Sequence, residues 1–270
     1  MLTFAEDTLQ YIMRLDQMPL RANNIPTMFE GLARFEFKYH LPPDQSIFAR
    51  DYIAQFLDRD PEAGQAGSYT VTSLYFDTPH LSDYYEKGGG FLVRKKLRAR
   101  IYGSELTAET PNIFLEVKKK YDMAFLKHRV RLSREEWDEF LSGKYSSLLA
   151  RPRKSHAQKD LEAFLFLLLS EGRTPQYFIR YIREPFISTI GDPIRVTFDS
   201  AIECASHDSL SSPAHTYPTA SELTVLEVKF TESLPYWFTR LERDLNLARD
   251  TYSKYANGVD ATSRFNPLPR

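Results

Sequence analysis

The run Arg94-Lys-Lys-Leu-Arg-Ala-Arg-Ile101 decides how this chain is read. In an extended strand, side chains two apart share a face. Arg94, Lys96, Arg98 and Arg100 therefore line one face, and Leu97, Ala99 and Ile101 line the other. One amphipathic strand is ordinary, but this pattern recurs along the chain. Arg34, Glu36 and Lys38 lie together with Phe35 and Phe37 behind them. Glu116, Lys118 and Lys120 line up, as do Lys127, Arg129 and Arg131. Tyr181 shares a face with Arg183, Arg195 with Thr197 and Asp199, and Glu227 with Lys229.

The segments that carry these faces are Ala33–Tyr39, Tyr69–Phe76, Phe91–Tyr102, Asn112–Lys120, Phe125–Leu132, Tyr177–Glu184, Ile194–Ile202 and Leu223–Phe230. Their aromatic and β-branched content and period-two patterning make them strands, and the short spacing between several of them favours antiparallel pairing. Helical spacing marks Pro43–Leu57, the segment opened by the capping box Ser133-Arg-Glu-Glu136, the segment after Ser155, and Pro235–Leu247. Asp77, ahead of Thr78-Pro79, is expected to cap a turn.

A sheet with one solvated face is the ordinary explanation of such alternation. Here, however, residues 94–131 hold eleven Lys and Arg against four Asp and Glu. Like charges opposed on neighbouring strands repel, and the apolar backing needs cover. A closed, eight-stranded antiparallel β-barrel of the α+β class, with a charged lumen and its helices outside, meets both demands. Guanidinium and ammonium groups suit phosphate oxygens. Glu36, Glu116 and Glu227 are candidate ligands for a hard divalent ion, Mg²⁺ or Mn²⁺, shared with phosphate. The expected occupant is a triphosphate or a longer polyphosphate.

The whole composition narrows the field further. Thirty-five Lys and Arg balance 36 Asp and Glu among 270 residues, for a net charge of −1, so no global basic excess points to a nucleic-acid partner. The single Cys204 forms no internal disulfide and fits a reducing compartment. The segment at Met1 lacks a basic leader region, and Leu161–Leu169 is about half the ~20 residues of a membrane span. A cytoplasmic protein without direct membrane insertion is the expectation. Six scattered His, with no His-x-x-x-His, argue against a histidine metal site. Residues 1–29 read as a helical extension, 30–260 as one tunnel domain and 261–270 as a tail.

Nine short motifs then occur in register: Arg34-Phe-Glu-Phe-Lys-Tyr39, Ser73-Leu-Tyr-Phe-Asp-Thr78, Leu97-Arg-Ala-Arg-Ile-Tyr-Gly103, Phe114-Leu-Glu-Val-Lys118, Lys127-His-Arg129, Tyr181-Ile-Arg183, Arg195-Val-Thr-Phe-Asp199, Glu227-Val-Lys229 and Ser253-Lys-Tyr255. Together, over about residues 30–260, they resemble the VTC domain. That is the catalytic domain of the vacuolar transporter chaperone polyphosphate polymerase, in the triphosphate tunnel metalloenzyme (CYTH-like) superfamily. The resemblance implies an enzyme that moves the γ-phosphate of ATP onto a polyphosphate chain, with Mn²⁺ as its metal. It implies that Lys38, Arg98, Arg100, Lys118, Lys127, Arg183 and Lys254 are catalytic phosphate ligands, that Tyr181 contacts substrate from the tunnel wall, and that Glu227 is the metal ligand. Lys96, Arg129, Arg195 and Lys229, on the same basic faces, are further candidate substrate contacts. Arg34 stands where the wider superfamily has the first Glu of Glu-x-Glu-x-Lys, which favours the polymerase branch over the hydrolytic one. A tunnel triphosphatase and a non-catalytic polyphosphate binder are the alternatives, and products formed from ATP separate the three.

Overall fold

The computed structural model describes residues 35–264, apart from 90, 92, 122–123, 189–190, 192 and 220–221. Arg34 and the extension expected over residues 1–29 lie outside the described residues. The elements run β1 (Phe35–Leu41), α1 (Pro43–Ile53), β2 (Asp58–Arg59), a 3₁₀ turn (Pro61–Ala63), β3 (Tyr69–Asp77), α2 (Ser82–Gly88), β4 (Val93–Tyr102), β5 (Ile113–Tyr121), β6 (Ala124–Leu132), α3 (Arg134–Leu141), α4 (Tyr145–Ala150), α5 (Ser155–Ser170), β7 (Thr174–Ile187), β8 (Arg195–Ser206), β9 (Tyr217–Pro218), β10 (Thr224–Phe230), α6 (Tyr236–Asp244) and α7 (Lys254–Ser263).

Eight strands form one antiparallel sheet in the order β1-β10-β8-β7-β3-β4-β5-β6, with the two-residue strands β2 and β9 paired to β7 and β8. The alternation read from the sequence sets the two faces. On the convex side, Leu97, Ala99, Ile101, Leu115, Val117 and Val130 pack beneath α3, α4 and α5, whose Trp137, Phe140, Leu161 and Phe164 are buried there. A second core joins Tyr39, Phe198, Leu226 and Val228 to Phe238 and Leu241 of α6 and Ala49 and Ile53 of α1. Such burial of apolar side chains stabilises by roughly 1.5–3 kcal/mol each. The capping box forms as the spacing predicts: Ser133 Oγ accepts from Glu136 N at 3.3 Å, and Glu136 Oε2 accepts from Ser133 N at 2.8 Å. Gly143, at φ +70°, takes the left-handed conformation just past the helix end.

One expectation is corrected. The sheet is not a closed barrel, because among the described residues β1 and β6 share no backbone ladder. Their edge groups have other partners. Arg129 N on β6 donates to Asp160 Oδ2 of α5 at 3.1 Å, and Lys38 O on β1 accepts from Asp250 N at 2.9 Å. The sheet is nonetheless curled enough for Lys118 Nζ on β5 to reach Glu36 Oε2 on β1, at 3.2 Å. The result is a trough crossed on its concave side by the Lys118–Glu36 pair.

The segments expected as helices lie outside, but a further helix, α7, does not. Tyr252, Tyr255 and Val259 of the α7 region pack on Val71, Tyr75, Ile179, Tyr181 and Val225, which belong to the concave face. Gly258 permits this close approach, since a Cβ there would lie 3.2 Å from both Cys204 Cβ and Ile179 Cδ1. Helix α7, capped by Ser253 and running to Ser263, therefore fills part of the lumen. Asp77 is structural, as expected: it accepts from the amides of Thr78 at 2.7 Å and Asp83 at 3.0 Å and from Tyr255 Oη at 2.5 Å.

Candidate functional site

The concave wall carries four buried or nearly buried carboxylates, each set among cations. Glu116, 1% exposed at the middle of β5, is the densest point. Antiparallel register places Arg98 and Arg129 directly beside it on β4 and β6. Arg98 donates from Nε at 2.7 Å and Nη2 lies at 2.6 Å; Lys127 Nζ is at 2.9 Å, Arg129 Nε at 3.3 Å and Arg100 Nη1 at 3.8 Å. Burial opposes charge on Glu116, but Arg98, Arg100 and Lys127 outweigh it and hold the carboxyl far below the usual range.

The facing wall is a checkerboard on β1 and β10, where register pairs Glu36 with Lys229 and Lys38 with Glu227. Lys38 Nζ lies 3.0 Å from Glu36 and 3.6 Å from Glu227, and Lys229 Nζ lies 2.6 Å from Glu227 and 3.9 Å from Glu36. Burial disfavours ionised Glu227, yet Lys229, Lys38, Arg183 and Lys254 keep its pKa well below normal. Lys118 joins the two walls through Glu36.

Asp199 on β8 is the fourth carboxylate. Arg183 grips it with two bonds of 2.7 Å, and Lys254, at the start of α7, donates at 2.5 Å. Lys254 also lies 4.6 Å from the centre of the Tyr181 ring. Lys96 reaches Ser253 Oγ at 2.5 Å and sits over the Tyr255 ring.

The trough thus gathers Lys38, Lys96, Arg98, Arg100, Lys118, Lys127, Arg129, Arg183, Lys229 and Lys254, with Tyr181, around four carboxylates. Arg195 is the exception: its guanidinium turns to Asp60 at 2.7 Å, beside the 3₁₀ turn. The three glutamates expected as metal ligands do not converge. Among the described residues no three acidic, His or Cys side chains form a metal-binding group. Glu36 and Glu227 stand together, bridged by the same two lysines, whereas Glu116 is held by four cations on the other wall. A pair of carboxylates is the donor set that a phosphate-bridged Mg²⁺ or Mn²⁺ uses, so Glu36 and Glu227 fit such an ion and Glu116 does not.

Two wall residues escaped the sequence reading. Asp199 was placed on the right face, but only the fold shows that it anchors both Arg183 and Lys254. Tyr75, in the Ser73–Thr78 motif, accepts from Arg98 Nη1 at 3.0 Å and stacks on Tyr255. Burial alone would raise the Tyr75 phenol, but Arg98 and Arg100 bring it down to about 8. Burial likewise lowers Lys127 to about 8 despite the opposing pull of Glu116.

An antiparallel sheet curled into a trough, lined by cations and backed by helices, is the frame of this site. The VTC domain family matches residues 33–263, and the chain belongs to that family. Solved structures of similar shape include a proposed adenylate cyclase from Bacillus halodurans (13% identity, 82% of this chain and 96% of that one, TM-score 0.44). Others are a protein from Pyrococcus horikoshii OT3 (14%, 86% and 99%, 0.47) and a proposed adenylyl cyclase from Hippeastrum with a dominant triphosphatase activity (13%, 85% and 96%, 0.45). No curated protein matches the chain. Among the described residues no helix is long and apolar enough to cross a membrane.

Proposed function

We propose that the chain is a polyphosphate polymerase-type phosphotransferase that moves the γ-phosphate of ATP onto a polyphosphate end held in the trough. The observation that carries this reading is the excess of cations over carboxylates on the concave wall, in a chain of the VTC family. Ten basic side chains around four carboxylates leave positive charge that a polyanion neutralises, and partial enclosure strengthens each contact. Arg98 and Arg100 clamp phosphate oxygens. Glu116 holds the Arg98 fork in place, and Asp199 does the same for Arg183 and Lys254. Lys38, Lys118 and Lys229 change partners from Glu36 and Glu227 to the arriving phosphate. Phosphoryl transfer is largely positioning and charge neutralisation: an oxygen of the polyphosphate end forms a bond to the γ-phosphorus, the bond to the β-phosphate oxygen breaks, and ADP leaves. The acceptor oxygen is already ionised, so no general base is required. When bound, a divalent ion on Glu36 and Glu227 supplies additional neutralisation of the terminal phosphates.

Purified protein incubated with ATP and Mn²⁺ or Mg²⁺ is to be assayed separately for polyphosphate, ADP and free phosphate. Polyphosphate with ADP is expected. ADP with free phosphate alone overturns the reading in favour of a triphosphatase, and tight binding without turnover overturns it in favour of a storage or binding role.

A further inference from the structure

At the end of β4 the basic row gives way to aromatic rings. Lys96, Arg98, Arg100 and Tyr102 share one face, so Tyr102 lies one pleat, about 6.7 Å, beyond Arg100. Tyr69 stands edge-on to Tyr102 with ring centres 5.5 Å apart, and Phe114 does so at 5.7 Å. Arg129 lies 3.8 Å from the Phe114 ring centre and donates to Tyr102 Oη at 3.0 Å. Two neighbours and a guanidinium thus fix the orientation of Tyr102, yet 46% of it remains exposed. Cross-strand aromatic pairs stabilise a sheet wherever they occur, but this one also stands half exposed at the rim of a phosphate trough. A tripolyphosphate has nothing for it to stack on, but a nucleoside has a base.

We propose that Tyr102, braced by Tyr69 and Phe114, is the seat for the base of a nucleoside triphosphate, with its phosphates running from Arg100 toward Lys96. This rests on the phosphate-trough reading and adds a direction to it: nucleoside at the β4 C-terminal rim, acceptor chain from the opposite end. Tyr102 is a specificity residue, which distinguishes ATP from an inorganic chain of the same charge.

The test compares ATP and inorganic tripolyphosphate binding, by calorimetry, for the intact protein, Tyr102→Leu and Tyr102→Phe. The expected result is that Tyr102→Leu weakens ATP at least tenfold, leaves tripolyphosphate within twofold, and that Tyr102→Phe keeps ATP affinity. The last arm separates stacking from the hydrogen bond to Arg129. Equal changes for both ligands in Tyr102→Leu, or none for either, overturn the base seat while the phosphate trough stands. Failure of the unaltered protein to bind either ligand overturns the trough reading and the seat together.

Discussion

Two charged knots in this molecule are near mirror images. In one, Glu116 sits among four cations. In the other, Arg173 sits among three carboxylates: it grips Asp83 with both terminal nitrogens and Glu171 through Nη2 at 2.5 Å, and lies 3.8 Å from Asp77. Their surroundings differ. The Arg173 side chain is fully buried, and its carboxylates have further donors in the amides of residues 78 and 83, Tyr255 and Lys95. Asp77 and Glu171 are answered from inside the fold, while burial and the neighbouring Asp77 push Asp83 up to about 7 despite Arg173. The Glu116 knot faces the trough, and 49% of the Lys127 side chain is exposed. A knot centred on a fully buried Arg173 ties α2, α7 and the start of β7 together. An open knot with surplus charge of one sign is arranged for something that arrives from solution.

The comparison can be broken most decisively on the trough side. Glu227→Gln keeps shape but removes the charge that a hard cation needs. Turnover of ATP should be abolished while polyphosphate still binds, and added Mn²⁺ should restore activity only in part. Wild-type metal-dependent rates in that variant would reject the assignment. On the sealed side, Arg173→Met strands buried carboxylates, which costs about 3–5 kcal/mol. Urea unfolding should show a lower midpoint, with substrate affinity of the folded protein unchanged; a loss below 1 kcal/mol would mean that the knot is not what fastens the helices.

Arg98→Ala should act the other way round. Removing one donor from a surplus leaves Glu116 with three cations, so the fold survives, while phosphate affinity falls by about 1.5–3 kcal/mol, or roughly 10- to 150-fold. A variant that unfolds yet binds normally would erase the distinction between the two knots. The smallest effect is in pH. Lys127 loses its proton near pH 8, and Tyr75 gains a negative charge in the same range. Both changes oppose an anion, so affinity should fall above pH 8, by up to about tenfold per unit for each proton. Lys127→Arg combined with Tyr75→Phe should flatten the profile up to pH 9.

Strand positions and faces were legible because a period of two survives any curvature: Glu36, Lys38, Arg98, Glu116 and Glu227 all project where alternation sends them. Closure was not legible, since it depends on whether two edges distant in sequence find each other or other partners. Asp160 and the Asp250 amide, which take those edge groups, lie outside the strands altogether. The concave seat of α7 was hidden for a related reason. Nothing in residues 254–263 distinguishes a helix packed on a lumen from one on an outer face; the small side of Gly258 has meaning only beside Cys204 and Ile179. Helix α2 escaped too, because its start is stabilised by Asp77, five residues ahead of it, rather than by an N-terminal cap of its own.

The missing ladder between β1 and β6 bears on how the trough would be loaded under the proposed activity. A tube closed by backbone ladders can be loaded only by threading an end. Here the described edges share no ladder, and the contact across the trough is Lys118 of β5 reaching Glu36 of β1. Such a clasp is an ionic contact that phosphate itself competes for and that salt screens. Under the proposed polymerase activity, a long anionic chain would be laid in along its length, displacing the clasp as it settles, rather than threaded end first.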